Sequence, residues 1–146
     1  TQLQRSDATY LFAGMRRNDD LAAHYASADL FLFPSLTETF GNVTLEALAS
    51  GLGVVAYDCA AANELIRDGD NGRVVPSDHS DAFIAAALEL ARNPVMLTTV
   101  RERAHASVRH LDWGHISAEL ADILHTTVKA HQRQQHADLI FRFAPD

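Results

Sequence analysis

The stretch PSLTETFGNVTLEALASGLGVVAYD, from Pro34 to Asp58, decides the architecture. It follows DLFLFP (Asp29–Pro34), an apolar run that reads as a buried strand stopped by proline, which cannot donate to a β-ladder. Gly41 and Asn42 open a helix over roughly Val43–Ser50, with Leu45, Leu48 and Ala49 as its apolar face. Gly51 stands where a helix ends in a left-handed turn. GVVAYD (Gly53–Asp58) is almost continuously apolar, as a strand buried on both faces must be.

Working outward, the alternation continues. TYLFAG (Thr9–Gly14) predicts a short buried strand ended by glycine. NDDLAAHYASA (Asn18–Ala28) predicts a helix with Asn18 as its N-cap, acids in its first turn, and Leu21 and Tyr25 on one face. After the central stretch come a short helix, AAANELI (Ala60–Ile66), a turn, RDGDNG, and a short strand, RVV. Strands alternating with helices in this way predict an α/β, Rossmann-like parallel sheet with helices on both faces. Beyond Pro76 the pattern turns helical. SDHSDAFIAAALELARN reads as a capped amphipathic helix, and PVMLTTVRERAHASVRH starts with proline at a favoured first position. DWGHISAELADILHTTVKAHQ is capped by Asp112, with Trp113, Ile116, Leu120, Ile123 and Leu124 as its buried stripe. The last residues, 131–146, fit no element.

The chain has 146 residues, enough for one domain with a core. Twelve Lys and Arg against nineteen Asp and Glu give a formal charge of −7, which argues against nucleic acid or an anionic membrane as partner. Cys59 is the only cysteine, so no intrachain disulfide can form, and nothing in the sequence marks it as reactive. No apolar run reaches the ~20 residues that span a bilayer, so no transmembrane segment is expected. The start has neither a methionine nor a signal-peptide core and reads as a piece of something longer. His105, His110 and His115 recur every five residues, a spacing that walks around a helix rather than along one face, and read as surface histidines rather than metal ligands. RDGDNG lacks the alternating acids and final glutamate of a calcium loop and reads as a turn. Tyr25 and Trp113 read as core residues.

The chemistry sits in the loop after the strand ended by Pro34. In an open parallel sheet, ligands bind beyond the carboxyl ends of the strands. Gly41 allows the backbone close to a ligand, and the free amides of Gly41, Asn42 and Val43 form an anion site at a helix start. Glu38 and Glu46, eight positions apart, are poor phosphate ligands but good acceptors for hydroxyl groups. A nucleoside diphosphate sugar, carrying both phosphates and hydroxyls, would satisfy the whole arrangement. The bland alternative is a stabilising surface cap, Thr44 or Asn42 with a nearby acid.

With its flanks HYASADLFLFPS and ANELIRDGDNGRVVPSD, the same stretch resembles the Glu-x7-Glu signature of retaining, GT-B-fold glycosyltransferases of family 4, the glycosyl transferases group 1. The likeness is close from Leu11 to Asn93 and loose over the later helices, including LDWGHI. The wording TETFGNVTLEALASGL is most similar to bacterial GDP-mannose-dependent mannosyltransferases. The resemblance implies the C-terminal, donor-binding half of a GT-B fold followed by a helical segment, with an N-terminal acceptor domain absent from residues 1–146. It implies that Glu38 contacts the transferred sugar and supports its developing positive charge. Phe40, Gly41, Asn42 and Val43 would line the sugar diphosphate, and Glu46 would accept from the ribose. Gly14 and Met15 would lie by the base, with Ser35 close to it. A retaining reaction without a metal or other cofactor is implied, with a GDP- or UDP-linked donor and a lipid or glycan acceptor. So is a cytoplasmic location, peripheral to the inner membrane face as a variant. Gly53 replaces the proline of the family's Gly-x-Pro, which should loosen that strand's start.

Two other classes fit less well: a non-catalytic module, and another GT-B enzyme such as an epimerase or a phosphorylase. A phosphorylase needs a cofactor-binding lysine, and Lys129, the only lysine, is badly placed for it. The sharper difficulty is charge. From Asn18 to Ile66 there is no Lys or Arg, but seven acids: Asp19, Asp20, Asp29, Glu38, Glu46, Asp58 and Glu64. A departing diphosphate needs cationic help, and a helix dipole worth roughly 0.3–2 kcal/mol does not replace it. Arg16 and Arg17 are the local candidates, though they suit the base or the surface better. The purified 146-residue chain is therefore predicted to show little or no sugar transfer; measurable turnover in a donor-consumption assay would refute this.

Overall fold

The computed structural model describes residues 10–142, with side chains through Gln134. In chain order the elements are α1 (Asn18–Ser27), β1 (Leu30–Phe33), α2 (Asn42–Ala49), β2 (Gly53–Tyr57), α3 (Ala60–Leu65), β3 (Arg73–Val75), α4 (Ser80–Arg92), α5 (Pro94–Val108) and α6 (Trp113–Arg142). The described residues form two compact units, one ending at Val108 and one beginning at Arg109.

The sheet has the order β1-β2-β3 and is wholly parallel, with Leu30 opposite Gly53 and Val55 opposite Arg73. β2 is its centre, and all five of its residues are buried. Alternate residues of a strand face opposite sides. Val55 and Tyr57 join Val75, Phe83, Ala86 and Leu90, with Val100 from α5, in one core cluster. Val54 and Ala56 are equally buried on the other side. There α2 and α3 belong, because successive right-handed crossovers moving one way along a sheet lie on one face. Each fully buried Leu or Val contributes about 1.5–3 kcal/mol of transfer free energy, and Leu48, Leu52, Val54, Val55 and Leu90 are all at 0–1% exposure.

Glycine ends α2 as expected: Gly51 has φ +70° and its amide donates to Leu48 O at 3.0 Å. Arg101 on α5 then ties this turn down, Nε to Gly51 O at 2.8 Å and a terminal nitrogen to Asp29 at 2.6 Å. Gly53 does not loosen the start of β2. Its amide donates to Asp29 O at 2.9 Å, a bond proline cannot make. A Cβ there would come within 2.6 Å of a Leu97 methyl and 3.0 Å of one on Leu30. This glycine lets α5 and β1 close over the strand.

Other expectations are corrected. Tyr10–Gly14 form no strand, and Tyr10, Leu11 and Phe12 are 50%, 89% and 48% exposed; Thr9 lies outside the described residues. A strand needs a hydrogen-bonded neighbour, and none of the described strands runs beside this segment. Asn18 is the first residue of α1, at φ +50°, and not its cap; that place is taken by Arg17, with no side-chain cap bond. α4 likewise begins behind His79 without a side-chain cap, so its stability rests on its buried Phe83, Ala86 and Leu90. Asp112 does cap α6, accepting from His115 N at 2.9 Å. The stripe on α6 is exposed rather than buried, however, from Trp113 at 83% and Ile116 at 40% to Leu124 at 56%. Amphipathic spacing identifies the face but does not supply its cover. Tyr25 is half-buried.

The turn Arg67–Gly72 hides a residue whose role the sequence did not reveal. Asn71 is 2% exposed, and its side chain is satisfied on both ends. Oδ1 accepts from Arg67 N at 2.7 Å, while Nδ2 donates to Leu65 O and to Ser107 Oγ, both at 2.8 Å. It thereby fastens the α3–β3 turn to α5. Truncation would leave buried polar groups without partners. Asn71→Ala is expected to lower stability by about 2–3 kcal/mol in urea unfolding, with the native far-ultraviolet spectrum retained.

Candidate functional site

The carboxyl ends of β1 and β2 lead into two loops that meet. After Pro34 the chain bends through Ser35–Phe40, and Phe40 O accepts from Ala61 N at 2.6 Å, joining this loop to the start of α3. Cys59 donates its thiol to Ser35 O at 3.6 Å from the same direction. Gly41 is buried at φ +92° and ψ +51°, the left-handed conformation that glycine adopts without penalty. That turn starts α2: Thr44 N donates to Gly41 O at 2.9 Å. The amides of Asn42 and Val43 stand ahead of this first bond and take no part in the helical ladder.

The two glutamates flank the same helix, Glu38 ahead of its start and Glu46 within it. Glu38 lies over the helix start, its Cβ and Cγ 3.8 and 3.7 Å from where a Gly41 Cβ would be. Its carboxylate accepts from Ser35 Oγ at 2.9 Å, and Ser35 also reaches Thr37 O at 3.1 Å. Ser35 thus orients the loop and its acid. Glu46, one turn into α2, lines an open hollow of about 500 Å³ with Ala49 and Ser50, opposite Asn18, Leu21, Ala22 and Tyr25 of α1. Tyr25 faces Glu46 across this hollow. Burial above all, and then the neighbouring Glu46 carboxylate, push the Tyr25 phenol above its ordinary range.

The remaining predicted residues are placed as follows. Phe40 is 42% exposed, Asn42 is exposed and Val43 half-buried beside the helix start. Gly14, at φ +70°, and Met15, 80% exposed, sit in the irregular segment ahead of α1. Asn18, also left-handed, follows them at the rim of the Glu46 hollow. The local cations are engaged elsewhere: Arg16 pairs with Asp20 at 3.1 Å, and Arg17 contacts Met15 Sδ at 3.3 Å. Sequence reasoning took Tyr25 for packing alone and did not place it across a hollow from Glu46; its spacing of twenty-one residues from Glu46 carries no local signal.

The geometry therefore offers unladdered amides at a helix start, the Glu38 side chain packed beside the Gly41 turn, and Glu46 in a hollow facing α1. It can receive an anion and several hydroxyl groups together.

Residues 1–93 match the family described as glycosyl transferases group 1, and the chain belongs to it. It is 34% identical over 116 residues to the phosphatidyl-myo-inositol mannosyltransferase of Mycolicibacterium smegmatis, covering 79% of this chain and 30% of that one. The Mycobacterium leprae protein of the same name is 32% identical over 127 residues, covering 86% and 34%. The chain thus spans about a third of the length of these relatives. Among solved structures, Anabaena Alr3699/HepE in complex with UDP and glucose superposes with a TM-score of 0.70 at 27% identity, over 80% of this chain and 32% of that one. Sucrose-phosphate synthase from Thermosynechococcus elongatus shares the fold, with a TM-score of 0.77 at 24% identity, over 88% and 33%. The fold present here is accordingly that of the C-terminal domain of GT-B glycosyltransferases.

The left-handed turn at Gly41 is the local device that opens the site. A Cβ there finds ordinary contacts, the nearest Ala61 Cβ at 3.6 Å, so the cost of substitution is conformational rather than steric. Gly41→Ala should lose about 1–2 kcal/mol and Gly41→Asn less, since Asn tolerates the left-handed region. Denaturant unfolding of the two variants side by side tests the order.

Proposed function

We propose that this member of the glycosyl transferases group 1 holds the nucleotide-sugar donor of a retaining hexosyltransferase, the chain supplying the donor-binding half. The observation that carries the reading is the left-handed Gly41 turn, which frees two amides at the start of α2 with the Glu38 side chain beside it. The amides of Asn42 and Val43 take the diphosphate, with Phe40 and Gly41 lining it. Glu46 accepts from the ribose hydroxyls. Glu38, steadied by Ser35, meets hydroxyls of the transferred sugar and offsets positive charge as the anomeric carbon parts from the diphosphate. Gly14 and Met15 border the base.

The mannosyltransferase relatives support mannose as the transferred sugar, and the Anabaena structure with UDP and glucose supports the nucleotide-sugar class as a whole. A lipid or glycan acceptor, metal-free chemistry and a cytoplasmic setting follow from the family resemblance. The leaving diphosphate needs positive charge that Asn18–Ile66 does not contain and that Arg16 already shares with Asp20. In this reading the charge comes from outside that span, from residues of the complete enzyme. The same lack of cations favours the second reading, a binding module without transfer activity of its own.

Calorimetric titration with GDP-mannose, UDP-glucose and an ADP-sugar discriminates the donors. Glu46→Ala is expected to weaken binding of the preferred donor about tenfold or more, the loss of a charge-assisted contact, while melting within a few degrees of the wild type. Unaltered affinity would remove the ribose assignment.

A further inference from the structure

The two edges of the sheet are finished differently. In a parallel ladder the amide and carbonyl of one residue point to the same side, and successive residues alternate. On β3, Val75 O accepts from Asp58 N and so faces β2, which turns Val74 to the outer edge. That edge is closed: Val74 N donates to Asp68 Oδ1 at 3.0 Å, and the neighbouring Arg73 holds both Asp68 and Glu89. On β1, Asp29 O accepts from Gly53 N, so Phe31 and Phe33 face β2 while Leu30 and Leu32 face outward. Among the described residues nothing bonds to the outward amides and carbonyls of Leu30 and Leu32. Charge, a bulge or a proline within a strand keeps an open edge from pairing with another chain. β1 has none of these: it is Leu-Phe-Leu-Phe, matched one-to-one with β2 and stopped only by Pro34. Leu32 is 49% exposed, while Val55 opposite it is fully buried.

We propose that the outer edge of β1 binds the same edge of a second copy of this chain, joining the two sheets by antiparallel pairing about Leu32. Such a strand is complementary to itself. With a two-fold axis through Leu32, that residue falls opposite its own counterpart, each amide donating to the other's carbonyl. Leu30 N then reaches the Pro34 carbonyl of the other copy, and the ladder ends there because proline has no N–H to return. Phe31 falls opposite Phe33. These two rings already stack within one copy, with centroids 5.7 Å apart and planes at 19°, and Tyr25 tilts against Phe31 at 5.7 Å. Pairing continues this aromatic row across the axis, the kind of cross-strand contact that stabilises a sheet. The strand is short, so the association is weak and depends on concentration. It needs no nucleotide and stands apart from the donor assignment.

The test is sedimentation velocity of the purified chain across a concentration series, which should show a monomer passing to a dimer. Leu32→Lys and Leu32→Glu, at a position already half exposed, each set like charges against one another at the axis. Each should raise the dimer dissociation constant about tenfold or more. An equimolar mixture of the two variants should dimerise again, because opposite charges then face one another. A measurement on the wild type covers the case in which a variant does not fold. Its Leu32 amide should exchange with solvent severalfold more slowly in concentrated than in dilute solution, while the Val74 amide, held by Asp68, is unchanged. A chain that stays monomeric throughout, a dimer that survives both substitutions, a mixture that does not reassociate, or a Leu32 amide indifferent to concentration overturns the proposal.

Discussion

The backbone of β2 has no route to water from Gly53 to Tyr57, and each of its amides and carbonyls must be paired inside the sheet. That single requirement places the other elements. It demands a strand on each edge, supplied in parallel register by β1 and β3, and apolar cover on each face. Parallel neighbours can be joined only by crossovers, which here are α2 and α3. The crossovers in turn bring the ends of β1 and β2 out on one side, where Phe40 and Ala61 fasten the two following loops together. The site exists because a buried central strand forces its neighbours to end there.

The same geometry separates the charges. At the amino ends of the strands, Arg101 holds Asp29 and the Gly51 carbonyl, so a cation is committed to the frame. At the carboxyl ends Glu38 accepts from the Ser35 hydroxyl and Glu46 lines a hollow with Tyr25. A hydroxyl steadies a carboxylate without neutralising it, which leaves Glu38 able to accept from a ligand. Under the proposed function, such a site suits the alcohols of a sugar nucleotide better than its departing phosphates.

Much of this was legible before any coordinates. The apolar runs of β1 and β2, the proline after β1, and Gly41 and Gly51 at either end of α2 are local signals, and the structure uses them as read. The misreadings have one kind of cause. Residues Tyr10–Gly14 have the composition of a strand but no ladder partner among the described strands. The α6 stripe has helical periodicity without burial. Gly53 looked like a loosened proline position until Leu97 and Leu30 were seen against it. In each case the chain stated what a segment could do, and the outcome turned on a neighbour distant in sequence.

Sequence alone therefore determined the alternation of elements from α1 onward, the glycines that bound α2 and the acid-rich, cation-free character of Asn18–Ile66. These depend on backbone preference, hydrophobic spacing and side-chain type, all properties of short segments. Tertiary structure decided that Ser35 braces Glu38, that Asn71 is a buried fastening, and that Glu46 faces α1 across a hollow. Those outcomes are contacts between residues up to thirty-six positions apart, such as Asn71 with Ser107, and distance along a chain says nothing about contact until the core has closed.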